Sequence, residues 1–159
     1  MERGAEQLNT HIRRARREDV PGIVRLLADD PLGSLREEYR QPLPQKYYDA
    51  FERIDGDERN ELIVVEAEGE VIGTLQLTFI PYLTFVGGER ALIEAVRVDS
   101  RYRGKGIGRK LFMWAIARSR EAGCHMVELT TDGERAEAHR FYDELGFVAS
   151  HTGMKLHLR

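Results

Sequence analysis

The chain has 159 residues, of which 42% are hydrophobic and 32% are charged, and its formal net charge is -3. This length suits one compact domain, and this composition supplies enough apolar side chains for a core. The small negative charge argues against a dedicated nucleic-acid-binding protein. No apolar run approaches the roughly 18 residues that span a bilayer. The absence of such a run predicts a protein that does not enter membranes. The single cysteine, Cys124, has no internal partner, so we expect a reducing, cytoplasmic location.

The N-terminal part predicts a leader, a strand and a helix. Residues 1–11 are polar and predict a flexible leader, followed by a single domain over residues 12–159. Weak alternation of apolar and basic side chains predicts a first strand over residues 12–16. Asp19 is a suitable N-cap, so a helix is predicted over residues 20–29.

The next region is irregular and is followed by a hairpin. Prolines and a glycine interrupt residues 30–57, where the apolar spacing predicts two short helices at 35–40 and 45–54. Long irregular segments often carry function, although this one could equally be a connector. Beyond it, residues 61–80 contain two runs rich in β-branched residues. The runs meet at Gly69, which predicts an antiparallel hairpin.

A glycine-rich loop separates a strand predicted over residues 90–98 from a helix predicted over residues 106–122. Residues 103–108 read Arg-Gly-Lys-Gly-Ile-Gly. The first N–H groups of a helix have no intrahelical partner and carry the positive end of the macrodipole. Glycines let a ligand approach the backbone closely. The loop therefore predicts a site for a phosphate or pyrophosphate.

The glycine spacing separates several kinds of phosphate loop. A P-loop places four residues between its first glycine and Gly-Lys-Ser/Thr, and a dinucleotide loop follows Gly-x-Gly-x-x-Gly. Gly104, Gly106 and Gly108 fit neither pattern. A nucleotide-binding enzyme is therefore disfavoured, while a glycine-rich turn that binds nothing stays open.

The C-terminal third predicts a strand over residues 124–131, a helix over 136–145 and a final hairpin that pairs residues 147–151 with 154–158. Cys124 begins the strand, where a small buried residue is more typical than a nucleophile. The full element order indicates a mixed α/β sheet and not a doubly wound parallel array.

Two motifs resemble those of one family. The pattern Arg103-x-x-Gly106-x-Gly108 resembles the coenzyme A loop, Gln/Arg-x-x-Gly-x-Gly/Ala, of the GNAT superfamily of N-acetyltransferases. The sequence Phe141-Tyr-x-x-x-Gly-Phe147 resembles a helix signature of the same family. The resemblance covers nearly the whole chain from Ile12 onward. It implies the GNAT acyl-CoA N-acyltransferase fold, an α/β (α+β mixed) fold with a splayed, mostly antiparallel sheet flanked by helices.

The resemblance also implies a reaction, the transfer of an acetyl group from acetyl-CoA to a primary amine of a small molecule or peptide, with no metal. The pyrophosphate would lie on the glycine loop, with Arg109 or Lys110 supplying charge, and the pantetheine would pair with the preceding strand. One departure is Arg135, where many members have asparagine. The residues implied to contact the coenzyme are Val96, Arg97, Val98, Arg103, Gly104, Lys105, Gly106, Ile107, Gly108, Arg109, Arg135 and Tyr142.

Three catalytic roles follow from the resemblance. Tyr142 matches the tyrosine that acts as a general acid, because a phenol with a pKa near 10 is protonated at neutral pH. Glu94 matches a strand glutamate that helps deprotonate the amine in amino-sugar N-acetyltransferases. The backbone N–H of Val96 would stabilise the oxyanion. His139 and His151 are further candidate bases.

Each role has a structural alternative. Tyr142 could be a packing aromatic. An ionised carboxylate in an apolar strand is costly without a partner, so Glu94 could instead form an ion pair with Arg97 or Arg90. The histidines could be surface or capping residues.

The acceptor is expected to contact the variable segments, which are residues 30–57, 82–89 and 151–153. Acidic side chains such as Asp29 and Asp30 could attract a cationic amine or only solubilise a helix end. The alternative function is a non-catalytic acyl-CoA-binding sensor or regulatory domain. A homodimer is compatible with the resemblance, since dimers are frequent in the family.

Overall fold

A computed structural model describes residues 7–131 and 136–158 of the chain. It contains one five-stranded sheet with helices on both faces. Two short 3-10 turns, Arg17–Asp19 and Ser100–Tyr102, precede α1 and α5. The other elements are β1 (Thr10–Arg14), α1 (Val20–Ala28), α2 (Gly33–Arg36), α3 (Gln45–Asp55), β2 (Asn60–Ala67), β3 (Glu70–Pro81), α4 (Thr84–Gly87), β4 (Glu89–Val98), α5 (Ile107–Glu121), β5 (Met126–Leu129) and α6 (Ala136–Glu144).

The sheet follows chain order, β1-β2-β3-β4-β5. The first three pairs are antiparallel, and β4 and β5 are parallel. The parallel pairing is short, since it joins Arg90–Ile93 only to Met126–Leu129. Beyond Ile93 the two strands separate, while β4 stays paired with β3 as far as Val98. The prediction of a mixed, mostly antiparallel and splayed sheet is confirmed.

The two faces of the sheet are covered by different helices. On one face, α5 packs on alternate strand residues, and Ile63, Leu75 and Leu111 are fully buried there. On the other face, α1 and α3 cover Val64, which is also fully buried. Because β2 is apolar on both faces and β3 is apolar on its α5 face, these strands form the middle layer of a three-layer domain.

The N-terminal boundary differs slightly from the prediction. The first strand begins at Thr10 and ends at Arg14, so it includes the end of the predicted leader. It pairs with β2, where Thr10 lies opposite Ala67. Over residues 7–131 and 136–158, no helix has both the length and the apolar character needed to cross a membrane.

The predicted final hairpin is wrong. Residues 147–158 contain no strand, and Val148, Met154, Leu156 and Leu158 are each more than 80% exposed. An isolated two-stranded hairpin is marginal in water, and the Thr152-Gly153 turn is not one of the pairs that favour tight hairpins. The alternation of Met154, Leu156 and Leu158 is real, but these residues pair with no strand among the described residues.

Candidate active site

The glycine loop places open backbone in front of a long helix. Gly104 and Gly106 have φ angles of 74° and 80°, values that favour glycine because other L residues are strained there. A Cβ atom added at either position would meet nothing within 4 Å. α5 begins at Ile107 and runs for 15 residues. The loop therefore presents unobstructed N–H groups at the positive end of a helix dipole, which suits an anionic ligand.

The cationic side chains of the loop differ in their surroundings. Arg103, Lys105 and Arg109 are exposed, and Lys105 Nζ lies 5.3 Å from the centre of the Tyr102 ring. Lys110, in contrast, donates a hydrogen bond to Thr10 Oγ1 on β1. Arg109 is therefore the better placed of the two basic residues predicted to supply phosphate charge.

Asp99 anchors the start of this loop. Its side chain is buried, with 2% of its surface exposed, and it accepts hydrogen bonds from the Arg101 backbone N–H and guanidinium and from Arg25 on α1. The Arg101 guanidinium, helped by Arg25, holds the Asp99 pKa well below its usual range. Arg25 also donates to the Val71 carbonyl. This network joins α1, β3 and the glycine loop.

β4 contains a bulge at the point where the sheet opens. Gln76 lies opposite Glu94 and Thr74 lies opposite Arg97, so two residues of β4 oppose one residue of β3. Ala95 has a φ of 52°, a left-handed value that is uncommon outside glycine. A bulge interrupts the ladder and leaves its extra residue unpaired. The interruption directly precedes the N–H of Val96, the predicted oxyanion donor.

After the bulge, the edge of β4 that does not pair with β3 faces no strand among the described residues. Val96 and Val98 are half-buried, and their side chains pack against the core on the α5 face, as expected for wall residues. Their other main-chain edge is available to an amide-bearing ligand, because β5 pairs no further than Ile93. Arg97 lies on the opposite face, where its guanidinium is 3.5 Å from Asp30 and bonds the Val96 carbonyl.

Glu94 lies on the α1–α3 face of the sheet. Ala91 and Ile93 point into the core on the α5 side, so the alternation of a strand turns Glu94 the other way. Its side chain is exposed. The two arginines considered as its ion-pair partners bind other acids, since Arg90 pairs with Glu128 and Arg97 with Asp30. Glu94 therefore faces outward, as its structural alternative expects, and its catalytic role stays a prediction.

Tyr142 lies on α6, on the other side of the sheet. Its ring packs edge-to-face on Phe112 of α5, with 5.5 Å between centroids, and contacts Phe141 and Phe147. All three partners belong to one aromatic cluster with Tyr142. The FYxxxGF sequence thus explains how the tyrosine is fixed, because its neighbours hold the ring while the residue stays half-buried.

The remaining candidate residues differ in burial and in their hydrogen bonds. His139 has a buried Nε2 with no hydrogen-bond partner among residues 7–131 and 136–158, whereas His151 lies in the exposed tail beside Ser150. Burial raises the pKa of the Cys124 thiol, which agrees with a structural cysteine. Arg135 lies outside the described residues.

One of the segments expected to contact the acceptor is far from the bulge. Residues 82–88 join β3 to β4 at the end opposite the glycine loop, because Pro81 pairs with Glu89 and Gly73 with Val98. At about 3.3 Å per residue, Ala95 lies about 20 Å along the strand from Glu89. This segment is therefore remote from the predicted reaction centre, and its contact with the acceptor stays a prediction. In residues 30–57, by contrast, Asp30 reaches Arg97 of β4.

Two functional features escaped the sequence analysis, although both left a signal. The core residues of β4 fall at odd positions up to Ile93 and at even positions from Val96, and such a change of parity indicates a bulge. Asp99-Ser100-Arg101 is an Asx-turn sequence. Within the described part of the chain, no cluster of three His, Cys, Asp or Glu side chains could hold a metal ion.

This geometry defines a class of site, an anion loop at a helix start that continues into a splayed strand edge with a bulge. It suits a ligand with both a pyrophosphate and an amide-bearing arm. The sequence model of the acetyltransferase (GNAT) family matches residues 28–147. The chain therefore belongs to the GNAT acetyltransferase family, as its two motifs predicted.

Similar proteins agree with this family. A glucosamine 6-phosphate N-acetyltransferase of Trypanosoma brucei brucei is 37% identical over 90 residues, which are 57% of this chain and 59% of that protein. The chain thus matches little more than half of that relative's length. Among solved structures, one described as a transcriptional regulator from Bacillus halodurans C-125 is 51% identical, with a TM-score of 0.92, over 94% of this chain and 100% of that one. Glucosamine-6-phosphate N-acetyltransferase from Arabidopsis thaliana is 25% identical, with a TM-score of 0.79, over 95% and 99% of the two chains.

Proposed function

We propose that this protein is an N-acetyltransferase that transfers the acetyl group of acetyl-CoA to a primary amine of a small molecule or peptide. The observation that carries the proposal is the bulge at Ala95, on a strand edge that leads directly into the glycine loop and that no strand among the described residues covers. Membership of the GNAT family and similarity to N-acetyltransferases support it.

The donor would lie along β4 and the glycine loop. Backbone N–H groups of residues 103–108 would hold the pyrophosphate, assisted by the exposed charges of Arg103, Lys105 and Arg109. The edge of β4 at Val96 and Val98 would bind the pantetheine amides as an added strand does. The side chain of Arg97 faces the other side of the sheet, where it would border the acceptor, and its contact with the coenzyme stays a prediction.

The reaction would be a direct attack. Glu94 would accept the amine proton, through water, from the α1–α3 face. The neutral amine nitrogen then attacks the carbonyl carbon of the thioester. The carbonyl oxygen accepts a hydrogen bond from the Val96 N–H. The tetrahedral intermediate then collapses, so that the C–S bond breaks and the departing thiolate takes a proton from Tyr142. The second proton on nitrogen is lost to solvent, from which the Tyr142 phenolate is reprotonated. Placing the base and the acid on opposite faces of the sheet suits an attack in which the amine and the thiolate lie on opposite sides of the carbonyl.

The first test is calorimetry with acetyl-CoA, using ATP and NAD as controls, followed by release of free thiol with a panel of amines. We expect micromolar binding of acetyl-CoA alone, about -8 kcal/mol. Tyr142→Phe should bind acetyl-CoA normally and lower kcat by about 100-fold, because it removes the donor without changing the packing. Tyr48→Phe on α3 is the matched control. Absence of acetyl-CoA binding by folded protein would refute the proposal.

The sensor hypothesis makes a different prediction in the same assay. A sensor would bind acetyl-CoA but release no thiol with any amine, and Tyr142→Phe would then have no kinetic effect. The similarity to the structure described as a transcriptional regulator is the observation on its side. The exposed Glu94 carboxylate just before the bulge and the Val96 N–H just after it favour turnover.

We also propose a homodimer that works in the reducing cytoplasm. The exposed alternating side chains Met154, Leu156 and Leu158 have the pattern of a strand, and β5 is the edge of the described sheet, paired only with β4. A second copy could exchange tails across these edges. Light scattering should give twice the chain mass, and Leu156→Asp should give a monomer. A monomeric wild type would contradict this proposal.

The single cysteine, half-buried as a thiol, suits a reducing compartment.

A further inference from the structure

An apolar cleft lies between α1, α3 and the sheet, and we propose that it binds the apolar body of the amine acceptor. The group that it fits is an aliphatic or aromatic substituent about the size of one amino-acid side chain. This α1–α3 cleft has a volume of about 150 Å³, and an apolar cavity of that size accommodates a benzene-sized group. The inference rests on the proposed function and deepens it by naming the class of acceptor.

The position of the cleft connects it with the reaction centre. Ala95, the left-handed bulge residue, lines the cleft together with Gln76. Gln76 lies opposite Glu94 in the sheet, and paired residues share a face. The candidate base therefore stands beside the cleft on the same face, one residue before the bulge. An amine whose body fills the cleft would have its nitrogen held near Glu94 and near the carbonyl carbon at the bulge.

The chemistry of the lining selects apolar ligands. Leu27 of α1 and Ala50 of α3 form part of the wall. The polar side chains in the wall each make a hydrogen bond outside the cleft. Tyr47 donates to Glu37 and accepts from the Glu38 N–H, while Thr74 donates to the Ile63 carbonyl and Gln76 to Asn60. Because most of the lining is apolar and a buried polar ligand group could gain a partner only at the Gln76 amide, the cleft favours hydrocarbon.

The charges around the cleft favour a cationic amine over a phosphorylated one. The Glu94 carboxylate is exposed on this face and would attract an ammonium group. The nearest arginine on the same face of β4, Arg97, faces Asp30 at 3.5 Å, so its charge is offset. We therefore expect acceptors that differ from glucosamine 6-phosphate, the substrate named for two similar proteins.

The experiment compares kcat/KM for primary amines of one charge and different bodies, measured as free thiol released from acetyl-CoA. The series is ethylamine, 3-methylbutylamine and phenethylamine, with glucosamine 6-phosphate and O-phosphoethanolamine as anionic comparators. At about fourfold per buried methylene, 3-methylbutylamine should exceed ethylamine by about 50-fold. The anionic amines should be the poorest acceptors.

Two variants and one control assign the effect to the cleft. Ala50→Leu fills it and should lower kcat/KM for phenethylamine about tenfold, with the acetyl-CoA KM unchanged. Leu27→Ala enlarges it and should shift the preference toward phenethylamine over 3-methylbutylamine. Ala117→Leu makes the same change as Ala50→Leu on an exposed face of α5 and should leave both values unchanged.

The outcomes separate this inference from the proposed function. Turnover that prefers the anionic amines, or an Ala50→Leu variant that matches wild type on every amine, would overturn the inference while leaving N-acetyl transfer intact. A folded protein that neither binds acetyl-CoA nor releases thiol would overturn both. The hydrophobic preference, abolished by Ala50→Leu and kept by Ala117→Leu, would support the cleft.

Discussion

A substitution of the buried Asp99 carboxylate tests how the glycine loop is held in place. Asp99→Asn keeps the shape of the side chain but removes its charge. The carboxylate receives three guanidinium hydrogen bonds of 2.9 to 3.1 Å and one backbone hydrogen bond of 2.9 Å. A hydrogen bond to a charged group contributes about 1.5–3 kcal/mol. The amide keeps one acceptor oxygen, and it places an N–H₂ group against guanidinium donors. We therefore expect a loss of about 3 kcal/mol in the free energy of unfolding.

The assay is urea unfolding followed by circular dichroism, with Asp57→Asn as the matched control. Asp57 has the same i to i+2 arrangement with Arg59, but its side chain is 34% exposed, compared with 2% for Asp99. The control should unfold at nearly the wild-type urea concentration. Equal losses in the two variants would refute the reasoning, because burial would then not distinguish the two carboxylates. Acetyl-CoA should also bind more weakly to Asp99→Asn alone, since only Asp99 positions the loop.

The same variant has a pH signature whose sign follows from the lowered pKa. The stabilisation by Asp99 is present at every pH above the ordinary pKa of an aspartate. It is lost only as the pH falls through the depressed pKa of the folded state. The difference in stability between wild type and Asp99→Asn should therefore be constant from pH 8 to pH 5 and shrink only in strong acid. A difference that already falls near pH 6 would contradict the assignment.

Three further substitutions test other parts of the site and the core. Glu94→Gln should lower kcat/KM about 100-fold with acetyl-CoA affinity unchanged, and an equal loss in the exposed Glu58→Gln would count against a base at Glu94. Gly106→Ala should cost about 1 kcal/mol of stability and weaken acetyl-CoA binding measured by calorimetry. Gly69→Ala is the control, at a φ of 77° in the β2–β3 turn, and it should cost similar stability and leave acetyl-CoA binding unchanged. If Gly69→Ala also weakened binding, general backbone strain would explain the effect of Gly106→Ala, and the glycine loop would not. Leu111→Ala, at a fully buried position, should cost about 3–5 kcal/mol in urea unfolding, and a loss below 1 kcal/mol would show a core that collapses around it.

Local patterns predicted most of the fold. Runs of β-branched residues marked β2, β3 and β4, and Gly123 marked the end of α5, because those signals depend on nearest neighbours and on backbone conformation. The glycine loop was found for the same reason. The final hairpin failed because alternation alone does not supply a partner strand. The distance of residues 82–88 from the bulge depends on strand register, which the sequence does not encode locally.

The candidate site divides in the same way. Tyr142 and Glu94 were predicted by their resemblance to motifs. The cleft beside Glu94 was not predicted, because Leu27, Ala50 and Gln76 come from three separate elements. Their meeting is a consequence of packing. The ion cluster at Asp99 likewise joins residues more than 70 positions apart in the case of Arg25.

The bulge makes Ala95 the one supernumerary residue of β4. Without it, the strand would read Ala91, Leu92, Ile93, Glu94, Val96, Arg97, Val98, an unbroken alternation of core-facing and outward side chains. A chain lacking Ala95 should therefore form a regular strand, fully laddered to β3, that keeps every core contact. Deletion of Ala95 should therefore leave the fold intact while removing the break in the ladder that precedes the Val96 N–H.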